Sequence, residues 1–456
     1  MSFPRYPAYK DSGVEWLGEV PEHWEVKKLK NIASFTGGGT PSRENLDFWG
    51  GPIPWVSPKD MKAEKITQAE EGITQEGLDG STSALIEPGH VLLVVRSGIL
   101  RHTIPVAVNA VEVALNQDMK AIRLNDEICS SSFLLRWIQG FNDQLLLAWG
   151  KQGATVESIE QDYLSRSFVP LPPLTEQHAM TNFLDRETAK IDALIAEQQR
   201  LIELLQEKRQ AVISHAATKG LNPDAPMKDS GVEWLGEVPE HWEVQKVKHL
   251  CRHIEQGWSP QCENEASEGD APGVLKVGCV NGGIFRPGEN KRLPPDLSPI
   301  REYSVRTGDL LISRANTKEL VGSAAVVGED YPWLFICDKL YRITVDRSFA
   351  STYFLALYLG SSAVRSQVEL GASGASQSMQ NISQSVLMDL PIALPNLDEQ
   401  EAIQNAIANE CCLIDELVAE GSRGIQLLQE RRSALISAAV TGQIDVRGLV
   451  PEASAV

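Results

Sequence analysis

Residues Lys10–Lys30 read KDSGVEWLGEVPEHWEVKKLK, and residues Lys228–Lys248 read KDSGVEWLGEVPEHWEVQKVK. The two tracts differ only at Lys27 and Leu29, which are Gln and Val in the second copy. Agreement over this length does not arise by chance, so the chain contains an internal duplication with a period of 218 residues. A unit of that size is a whole domain with its connector, too long for a solenoid repeat. Two similar units predict pseudo-two-fold symmetry, and duplex DNA is a natural target for it.

A second repeated tract lies downstream of each first one. Leu174–Gln177 (LTEQ) matches Leu397–Gln400 (LDEQ), and Leu204–Arg209 (LLQEKR) matches Leu427–Arg432 (LLQERR). The offset here is 223 residues, so the segment between the two tracts is five residues longer in the second half. The chain is therefore built from two repeated frames, the paired tracts, around two divergent inserts.

The downstream tracts have the pattern of long helices. Prolines precede both, Thr175 and Asp398 are candidate N-caps, and no proline interrupts residues 176–217 or 399–440. Each run is about 63 Å long if fully helical, and a helix of that length needs a partner. The sequence predicts an antiparallel coiled coil between the two runs, and the alternative is that each helix packs on its own globular block. The predicted seam, with a spacing near 3.5 residues, is Leu184, Ile191, Leu194, Leu201, Leu205 and Val212 with Ile407, Ile414, Leu417, Leu428 and Leu435.

The inserts have a mixed strand and helix pattern in matching order. Buried strands are predicted at Val91–Val95 and Leu310–Ser313, and strands that pair with them at Met119–Leu124 and Leu340–Val345. Short helices are predicted at Phe133–Gly140 and Tyr353–Gly360. The predicted fold class is α+β, with two pseudo-symmetric globular α/β domains joined by two long helices. The predicted division is a first domain at 1–171, a helix at 172–217, a second domain at 218–394, a helix at 395–440 and a tail at 441–456.

Composition sets limits on the partners. The 456 residues allow about three domains, but the net charge of −19 is unusual for a nucleic-acid binder. Residues 25–171 carry 14 Lys and Arg against 18 Asp and Glu, and residues 243–394 carry 15 against 17. Both blocks are nearly neutral, so each could present one basic face. Seven cysteines without a CxxC spacing, no apolar run of membrane length and no signal peptide predict a cytoplasmic protein that contacts no membrane.

Motifs for catalysis are not found in the sequence. There is no GxxxxGK[ST], GxSxG, HExxH or kinase set, and the glycine-rich Thr36–Ser42 segment lacks a lysine, so it is a weak phosphate candidate. His23 and His241 stand beside tryptophans in the repeated PEHW, which favours a structural role over catalysis. The Cys251 region has two nearby histidines but no fourth zinc ligand. We therefore predict no catalytic residue, no metal and no cofactor.

Four quoted segments resemble the specificity subunits of type I restriction–modification systems. They are GVEWLGEVPEHWEVKKLKNIA, the LPPLTEQ to QEKRQAVISHAATKG helix with its duplicate, GGGTPSRENLDFWGGPIPWVS and GDLLISRANTKELVG. The resemblance covers essentially the whole chain. It implies two target recognition domains, each reading one half of a split site in double-stranded DNA, and a coiled coil that sets the gap. It also implies a non-catalytic subunit that assembles with two methylation subunits and two restriction/translocase subunits, with S-adenosylmethionine, ATP and Mg²⁺ only on those partners.

Candidate DNA-binding residues are polar side chains in the inserts of the types that contact bases and phosphates. In the first insert they are Thr40, Ser42, Arg43, Lys59, Lys62, Arg96, Ser97 and Arg101. In the second they are Gln256, Trp258, Gln261, Lys276, Arg314, Asn316 and Lys318. Arg96 and Arg314 are the strongest candidates because each follows a buried strand at what the sequence indicates is the same place. For every one of them, a solvated charge or a turn residue is the alternative interpretation.

Three further interpretations stay open at this point. The matched small-residue segments Gly153–Thr155 and Gly374–Ser376 are either phosphate-contacting loops or tight hinges. The chain as a whole could be a coiled-coil scaffold whose inserts bind proteins and not DNA, which the acidic charge favours. It could also carry an unrecognised nuclease site.

Overall fold

The computed structural model describes residues 3–151, 156–376 and 379–449. The chain forms two compact units, and neither is the simple N- or C-terminal half of the sequence. Unit 1 contains residues 1–198 and 423–456, and unit 2 contains residues 199–422. Each unit therefore holds one insert and a part of both long helices.

Unit 1 has twelve strands and four short helices among its described residues. The strands are β1 (Tyr9–Asp11), β2 (Glu19–Pro21), β3 (Glu25–Lys28), β4 (Ala33–Gly37), β5 (Trp49–Val56), β6 (Lys65–Ile66), β7 (Gly72–Ile73), β8 (Val91–Val94), β9 (Val106–Asn109), β10 (Ala114–Leu115), β11 (Met119–Leu124) and β12 (Phe168–Leu171). The short helices are α1 (Gln75–Asp79), α2 (Ser131–Gly140), α3 (Asn142–Trp149) and α4 (Gln161–Arg166), and the long helix α5 (Leu174–Lys219) follows them.

The central sheet of unit 1 has the strand order β4-β11-β8-β9-β6 and is antiparallel except between β9 and β6. All four residues of β8 are fully buried, as the unbroken apolar run predicts. Val91 and Leu93 face one core, with α2 and the long helices, while Leu92 and Val94 face a second core with β10. Both faces of the sheet are thus covered, and its ends carry loops that can meet a ligand.

Unit 2 repeats this plan with more and shorter strands. They are β13 (Met227–Asp229), β14 (Glu237–Pro239), β15 (Glu243–Lys246), β16 (Cys251–Gln256), β17 (Gly273–Leu275), β18 (Asn290–Arg292), β19 (Ser304–Val305), β20 (Leu310–Ser313), β21 (Ala315–Asn316), β22 (Ala324–Val326), β23 (Tyr331–Phe335), β24 (Leu340–Val345), β25 (Ser373–Ser376), β26 (Met379–Asn381) and β27 (Pro391–Leu394). Its helices are α6 (Thr352–Gly360), α7 (Ser362–Gly371), α8 (Gln384–Met388) and the long α9 (Leu397–Val440).

The central sheet of unit 2 has the order β16-β24-β20-β22, which corresponds to β4-β11-β8-β9 of unit 1. Its middle strand β20 is also fully buried, with Leu310 and Ile312 in one core and Leu311 in another. The strands and short helices predicted from the sequence are all present, with ends shifted by at most two residues. The predicted α+β fold class, with two similar globular domains and two long helices, is confirmed.

The long helices begin earlier than the sequence signals indicated. The prediction that Thr175 and Asp398 are N-caps is wrong, since α5 begins at Leu174 and α9 at Leu397. The Asn396 side chain instead accepts the backbone N–H of Glu399 at 2.9 Å, which is the capping bond of α9. In α5 the corresponding position is Pro173, whose fixed φ suits a helix entry although it has no capping side chain.

Within each unit the start of one long helix packs against the end of the other, so the two helices run antiparallel. In unit 1, Arg432 donates to Asp192 at 2.9 Å. In unit 2, Lys208 pairs with Glu410 at 2.7 Å and Arg209 with Asp415 at 3.2 Å. These partly exposed pairs fix which residues of the two helices face each other and contribute little to stability, about 0–1 kcal/mol each.

The predicted apolar seam is only partly correct. Leu184, Ile191, Ile407 and Ile414 are buried, whereas Leu194, Leu201 and Leu417 are 46%, 46% and 56% exposed. The seam is therefore buried toward the start of each long helix and exposed to solvent near its middle.

The repeated PEHW segment joins the two helices in each unit. In unit 1, Glu176 in the first turn of α5 accepts from Trp24 Nε1 at 2.9 Å and lies 2.8 Å from His23 Nε2. Gly442, just after α9, packs on the ring of the same Trp24, where an added Cβ would lie 3.2 Å away. The frame thus holds the start of one long helix and the end of the other, and we call this arrangement the helix clamp.

Unit 2 has the same clamp with the two helices exchanged. Glu399 of α9 lies 2.7 Å from His241 Nε2 and accepts from Trp242 Nε1 at 3.1 Å, and Gly220 after α5 packs on Trp242. These contacts give the PEHW histidines and tryptophans a structural role in both units. The clamp also explains why the PEHW and Glu-Gln tracts are the repeated parts of the sequence.

Candidate nucleic-acid interface

Three loops of unit 1 meet at one end of its central sheet. Residues 38–40 follow β4, residues 95–97 follow β8 and residues 116–118 precede β11, and the antiparallel register places all three at the same end. In unit 2 the corresponding residues are 257–259, 314–316 and 337–339. We call these residues the sheet-end surface of each unit.

The sheet-end surface of unit 1 borders an open cavity of about 760 Å³. Four of the eight residues predicted in the first insert line it, namely Thr40, Arg43, Lys59 and Ser97. The cavity wall also contains Trp55, Ser57, Asn116, Gln117 and Asp118. A polar concavity with both aromatic and cationic side chains can accept a base edge or a phosphate.

Most of the basic residues predicted in unit 1 have acidic partners. Arg43 forms a two-point contact with Glu71, at 2.6 and 2.8 Å, and lies 3.7 Å from the Trp49 ring centroid. The remaining pairs are Lys62 with Glu70 at 2.9 Å, Arg96 with Asp118 at 3.1 Å and Arg101 with Glu157 at 3.2 Å. The Arg43 hydrogen bond, followed by the charges of Arg43 and Lys59, lowers the pKa of Glu71. Since exposed pairs of this kind are weak, a phosphate could replace the carboxylates at little cost.

Thr40, Ser42 and Ser97 take part in hydrogen bonds within the protein. The Thr40 hydroxyl donates to Gln117 Oε1, and Ser97 Oγ accepts from the backbone of Ile99 at 3.4 Å. The Ser42 carbonyl accepts from Trp49 Nε1 at 3.0 Å. Ser42 lies beside Arg43 in the chain but does not line the cavity.

In unit 2 two of the predicted residues donate hydrogen bonds to the backbone carbonyl of Asp338. It accepts from Gln256 Nε2 at 2.9 Å and from Arg314 Nη1 at 3.3 Å. Trp258 is half-buried, and its backbone N–H donates to Ile336 at 3.0 Å. Gln256, Trp258 and Arg314 are thus brought together at the sheet-end surface.

The other residues predicted in unit 2 make contacts elsewhere or are exposed on loops. Asn316 Nδ2 donates to Asn281 Oδ1 at 3.1 Å, and so it contacts the turn that begins after Lys276. Lys276 is half-buried and uses its backbone N–H to bond Glu289. Gln261 and Lys318 are exposed on loops.

Arg96 and Arg314 do not occupy equivalent places, so that prediction is wrong. Hydrogen bonds show that Arg314 corresponds to Val95, because Arg314 N donates to Lys339 O and Val95 N donates to Asp118 O, both at 2.8 Å. Arg96 lies one residue further along. Successive side chains of an extended strand alternate in direction, so the side chains of Arg96 and Arg314 point in different directions from their sheets.

The glycine-rich segment is a site of close backbone approach, and the weak phosphate prediction for it is not supported by its surroundings. A Cβ on Gly38 would overlap the carbonyl oxygens of Leu115 and Asn116. Gly257 has the same place in unit 2, against the carbonyls of Ile336 and Cys337. These neighbours are hydrogen-bond acceptors, which repel phosphate, and they explain why both positions require glycine.

Replacing Gly38 by alanine should destabilise unit 1 by about 1–3 kcal/mol, because the backbone carbonyls that would meet the Cβ cannot move freely. Gly37→Ala is the matched control, since nothing lies within 4 Å of a Cβ built there. Thermal unfolding of the two variants measures the difference. Equal melting temperatures for Gly38→Ala and Gly37→Ala would contradict the close approach.

The sequence pattern did not identify Gln117 or Asp338, which stand at the centre of the two sheet-end surfaces. Each lies in a short loop before a strand, between a buried residue and a charged one, and no spacing marks it. Their partners Thr40 and Ser259 are 77 and 79 residues away in sequence. When the two inserts are aligned by the backbone register of their central sheets, Gln117 and Asp338 fall at the same position.

Several other points are fixed by the described part of the chain. It contains no group of three or more His, Cys, Asp or Glu side chains placed to hold a metal ion. It also contains no helix of the length and apolarity that a bilayer crossing requires. Gly153–Thr155 lies outside the described residues, while Gly374–Ser376 belongs to strand β25 and is neither a loop nor a hinge.

Comparison with known proteins agrees with this architecture. The family model described as the type I restriction modification DNA specificity domain matches residues 21–204. The type I restriction enzyme MjaVIII specificity subunit of Methanocaldococcus jannaschii is 24% identical over 449 residues, covering 94% of this chain and 95% of the relative. Over nearly its whole length, the chain is similar to type I restriction enzyme specificity subunits.

Two further comparisons bear on this similarity. The EcoR124I/EcoR124II specificity subunit of Escherichia coli is 34% identical over 210 residues, which is 46% of this chain. This alignment spans about half of that specificity subunit, 51% of its length. A chain from a solved structure of a type I R-M system has a TM-score of 0.62 at 18% identity and covers 92% of this chain and 98% of that chain. At this identity the likeness to that chain shows the shared fold alone.

Proposed function

We propose that this chain is a sequence-specific DNA-binding subunit that recognises a bipartite, asymmetric site in double-stranded DNA. The observation that carries the proposal is the pair of sheet-end surfaces, which share one backbone register but differ in their side chains. Two surfaces of equal shape and unequal chemistry would read two half-sites of equal size and different sequence. The similarity of the chain to type I restriction enzyme specificity subunits supports the same proposal.

We further propose that the subunit is not catalytic and acts in the cytoplasm by positioning other subunits. Two methylation subunits and two restriction/translocase subunits would assemble with it, and S-adenosylmethionine, ATP and Mg²⁺ would bind only to them. The acidic balance of the chain and the paired state of its basic residues support this division, since much of the affinity for phosphate would come from the partners. The repeated frames, being alike in both units, would suit two copies of the same partner.

Exchange of one insert tests independent readout by the two units. Replacing residues 31–165 by the matching region of a related subunit should change one half of the methylated site and leave the other half and the gap unchanged. The complex with methylation subunits is assembled on a randomised plasmid library, and the methylated sequences are determined. The reciprocal exchange of residues 249–388 is the matched control and should change only the other half.

Two outcomes would count against this proposal. A change in both halves from a single exchange would contradict independent readout. A complex that methylates without any sequence preference would favour the protein-binding scaffold as the role of the chain.

A further inference from the structure

Each unit holds a hydroxyl group in contact with a side-chain oxygen at the same place on its sheet-end surface. In unit 1 the Thr40 hydroxyl donates to Gln117 Oε1. In unit 2 the Ser259 hydroxyl donates to Asp338 Oδ1, and Ser259 Oγ also accepts the Asp338 backbone N–H at 3.1 Å. The two pairs join the loop after the first strand of the sheet to the loop before its second strand.

Backbone register shows that the pairs are equivalent without reference to sequence similarity. Gly39, just before Thr40, donates its N–H to Leu115 O at 2.8 Å. Trp258, just before Ser259, donates its N–H to Ile336 O at 3.0 Å. Leu115 and Ile336 precede Gln117 and Asp338 by two residues in each case. The hydroxyl is therefore kept in both units, while its partner is an amide in one and a carboxylate in the other.

The two partners offer different groups to a DNA base. Gln117 is exposed, and its Nε2 donates to Asp118 at 3.3 Å, which leaves one N–H and one lone pair of Oε1 free to bond. That donor and acceptor match the N7 and N6 groups of adenine in the major groove. Asp338 has only acceptors, and its second oxygen suits the N4 amino group of cytosine.

Basic side chains lie next to each partner at positions suited to the phosphates. Lys59 and Arg43 share the cavity wall with Gln117. Arg314 contacts the carbonyl of Asp338 itself. This arrangement allows phosphates to fix the position of the duplex while the central side chain meets a base edge.

We infer that Gln117 and Asp338 are the equivalent base-reading side chains of the two units, with Gln117 reading an adenine in one half-site and Asp338 a cytosine in the other. The inference rests on the proposed function, because it names the residues that give each half-site one of its bases. Thr40 and Ser259 are positioning residues, since each holds the reading side chain through one oxygen and leaves its remaining groups free.

The test uses two substitutions of nearly equal size that keep the hydroxyl bond. Gln117→Glu retains an oxygen for Thr40 but removes the N–H donors, and Asp338→Asn retains an oxygen for Ser259 but adds donors. The complex with methylation subunits is assembled with each variant, and methylated sites are determined from a randomised library. Gln117→Glu should switch one position of one half-site from adenine to cytosine. Asp338→Asn should switch one position of the other half-site from cytosine to adenine, each by about ten- to a hundredfold in relative frequency.

Matched controls separate readout from folding. Gln75→Glu on helix α1 and Asp296→Asn on an exposed loop make the same chemical changes away from the sheet-end surfaces, and they should leave every position unchanged. Gln117→Leu should lose selection at the same single position without creating a new preference. If instead these contacts only close the end of the sheet, the isosteric variants would leave every base preference unaltered.

The outcomes distinguish this inference from the proposed function. A wild-type complex that selects a bipartite site, together with Gln117→Glu and Asp338→Asn variants that select the identical site, overturns the inference and leaves the proposed function in place. A wild-type site without an adenine in one half and a cytosine in the other also overturns it. A wild-type complex that selects no sequence overturns both.

Discussion

Inserting four alanine residues after Gln198 in α5 should abolish recognition of the natural DNA site, with a loss of at least about a hundredfold in specific affinity. The insertion adds one helical turn, ~6 Å, to one of two paired helices. The pair Asp192–Arg432 lies before the insertion, and Arg209–Asp415 lies after it. Because α9 is unchanged, both pairs cannot form at once, and one of the two units must give up its own helix contacts.

A second insertion provides the control. Adding four alanines between Ser422 and Arg423 as well lengthens both helices at the boundary of the two units, so each unit can keep its internal pairs. This double variant should recover DNA recognition on sites whose gap is longer by about two base-pair steps of ~3.4 Å. The base identities of both half-sites should not change. Binding to a set of duplexes with different gaps measures this, and a single insertion that still prefers the natural gap would contradict the spacer role.

Replacing Glu176 by alanine should destabilise unit 1 by about 3–5 kcal/mol, since it removes the acceptor at the centre of the helix clamp. The side chain is 4% exposed and accepts from Tyr6 and Trp24, which are both buried. Burial and the hydrogen bond to Glu176 raise the pKa of Tyr6 well above its usual range, so the phenol keeps its proton and donates. Without the carboxylate, both donors are left without their acceptor in the core.

The clamp of unit 2 supplies the matched comparison. Glu399 is 26% exposed, its His241 is 54% exposed, and residue 224, which corresponds to Tyr6 in the repeat, is aspartate. Water can therefore replace part of the lost contact, and Glu399→Ala should cost less, about 1–2 kcal/mol. Hydrogen exchange is measured in both variants for the parts of α5 and α9 that belong to each unit. It reports the loss of stability in unit 1 and in unit 2 separately. A greater loss from Glu399→Ala than from Glu176→Ala would contradict this account of the clamp.

Most of the fold followed from the sequence because the duplication allowed each pattern to be checked against its copy. Val91–Val94 and Leu310–Ile312 are apolar throughout, and a strand covered on both faces requires that pattern. The predicted N-caps Thr175 and Asp398 are wrong because α5 begins after Pro173, which has no capping side chain, and because Asn396, two residues before Asp398, caps α9. The exposed Leu194 shows the same limit, since an apolar spacing does not reveal where the partner helix lies.

The candidate interface was less accessible to sequence reasoning for a physical reason. Contacts such as Thr40 with Gln117 join loops far apart in the chain, and the loops themselves carry no repeating pattern. The inserts are too different for an alignment of letters, so Arg96 was matched with Arg314 although backbone hydrogen bonds match Val95 with Arg314. A shift of one residue along a strand changes the direction of the side chain, and register is visible only in the folded sheet.

Unit 1 is built from two separate parts of the chain, and this affects how it folds during synthesis on the ribosome. The core of unit 1 contains Ile436, Ala439 and Ile444, and the backbone N–H of Asp445 donates to the carbonyl of Pro4 at 2.8 Å, so this unit is completed only after residues 436–445 have emerged. Unit 2 is continuous from residue 199 to 422 and can close earlier. Domains usually fold in the order in which they are made, but here the part made first is finished last. Nascent chains that stall before residue 423 would therefore carry a closed second unit and an open apolar core in the first, which makes them clients for chaperones.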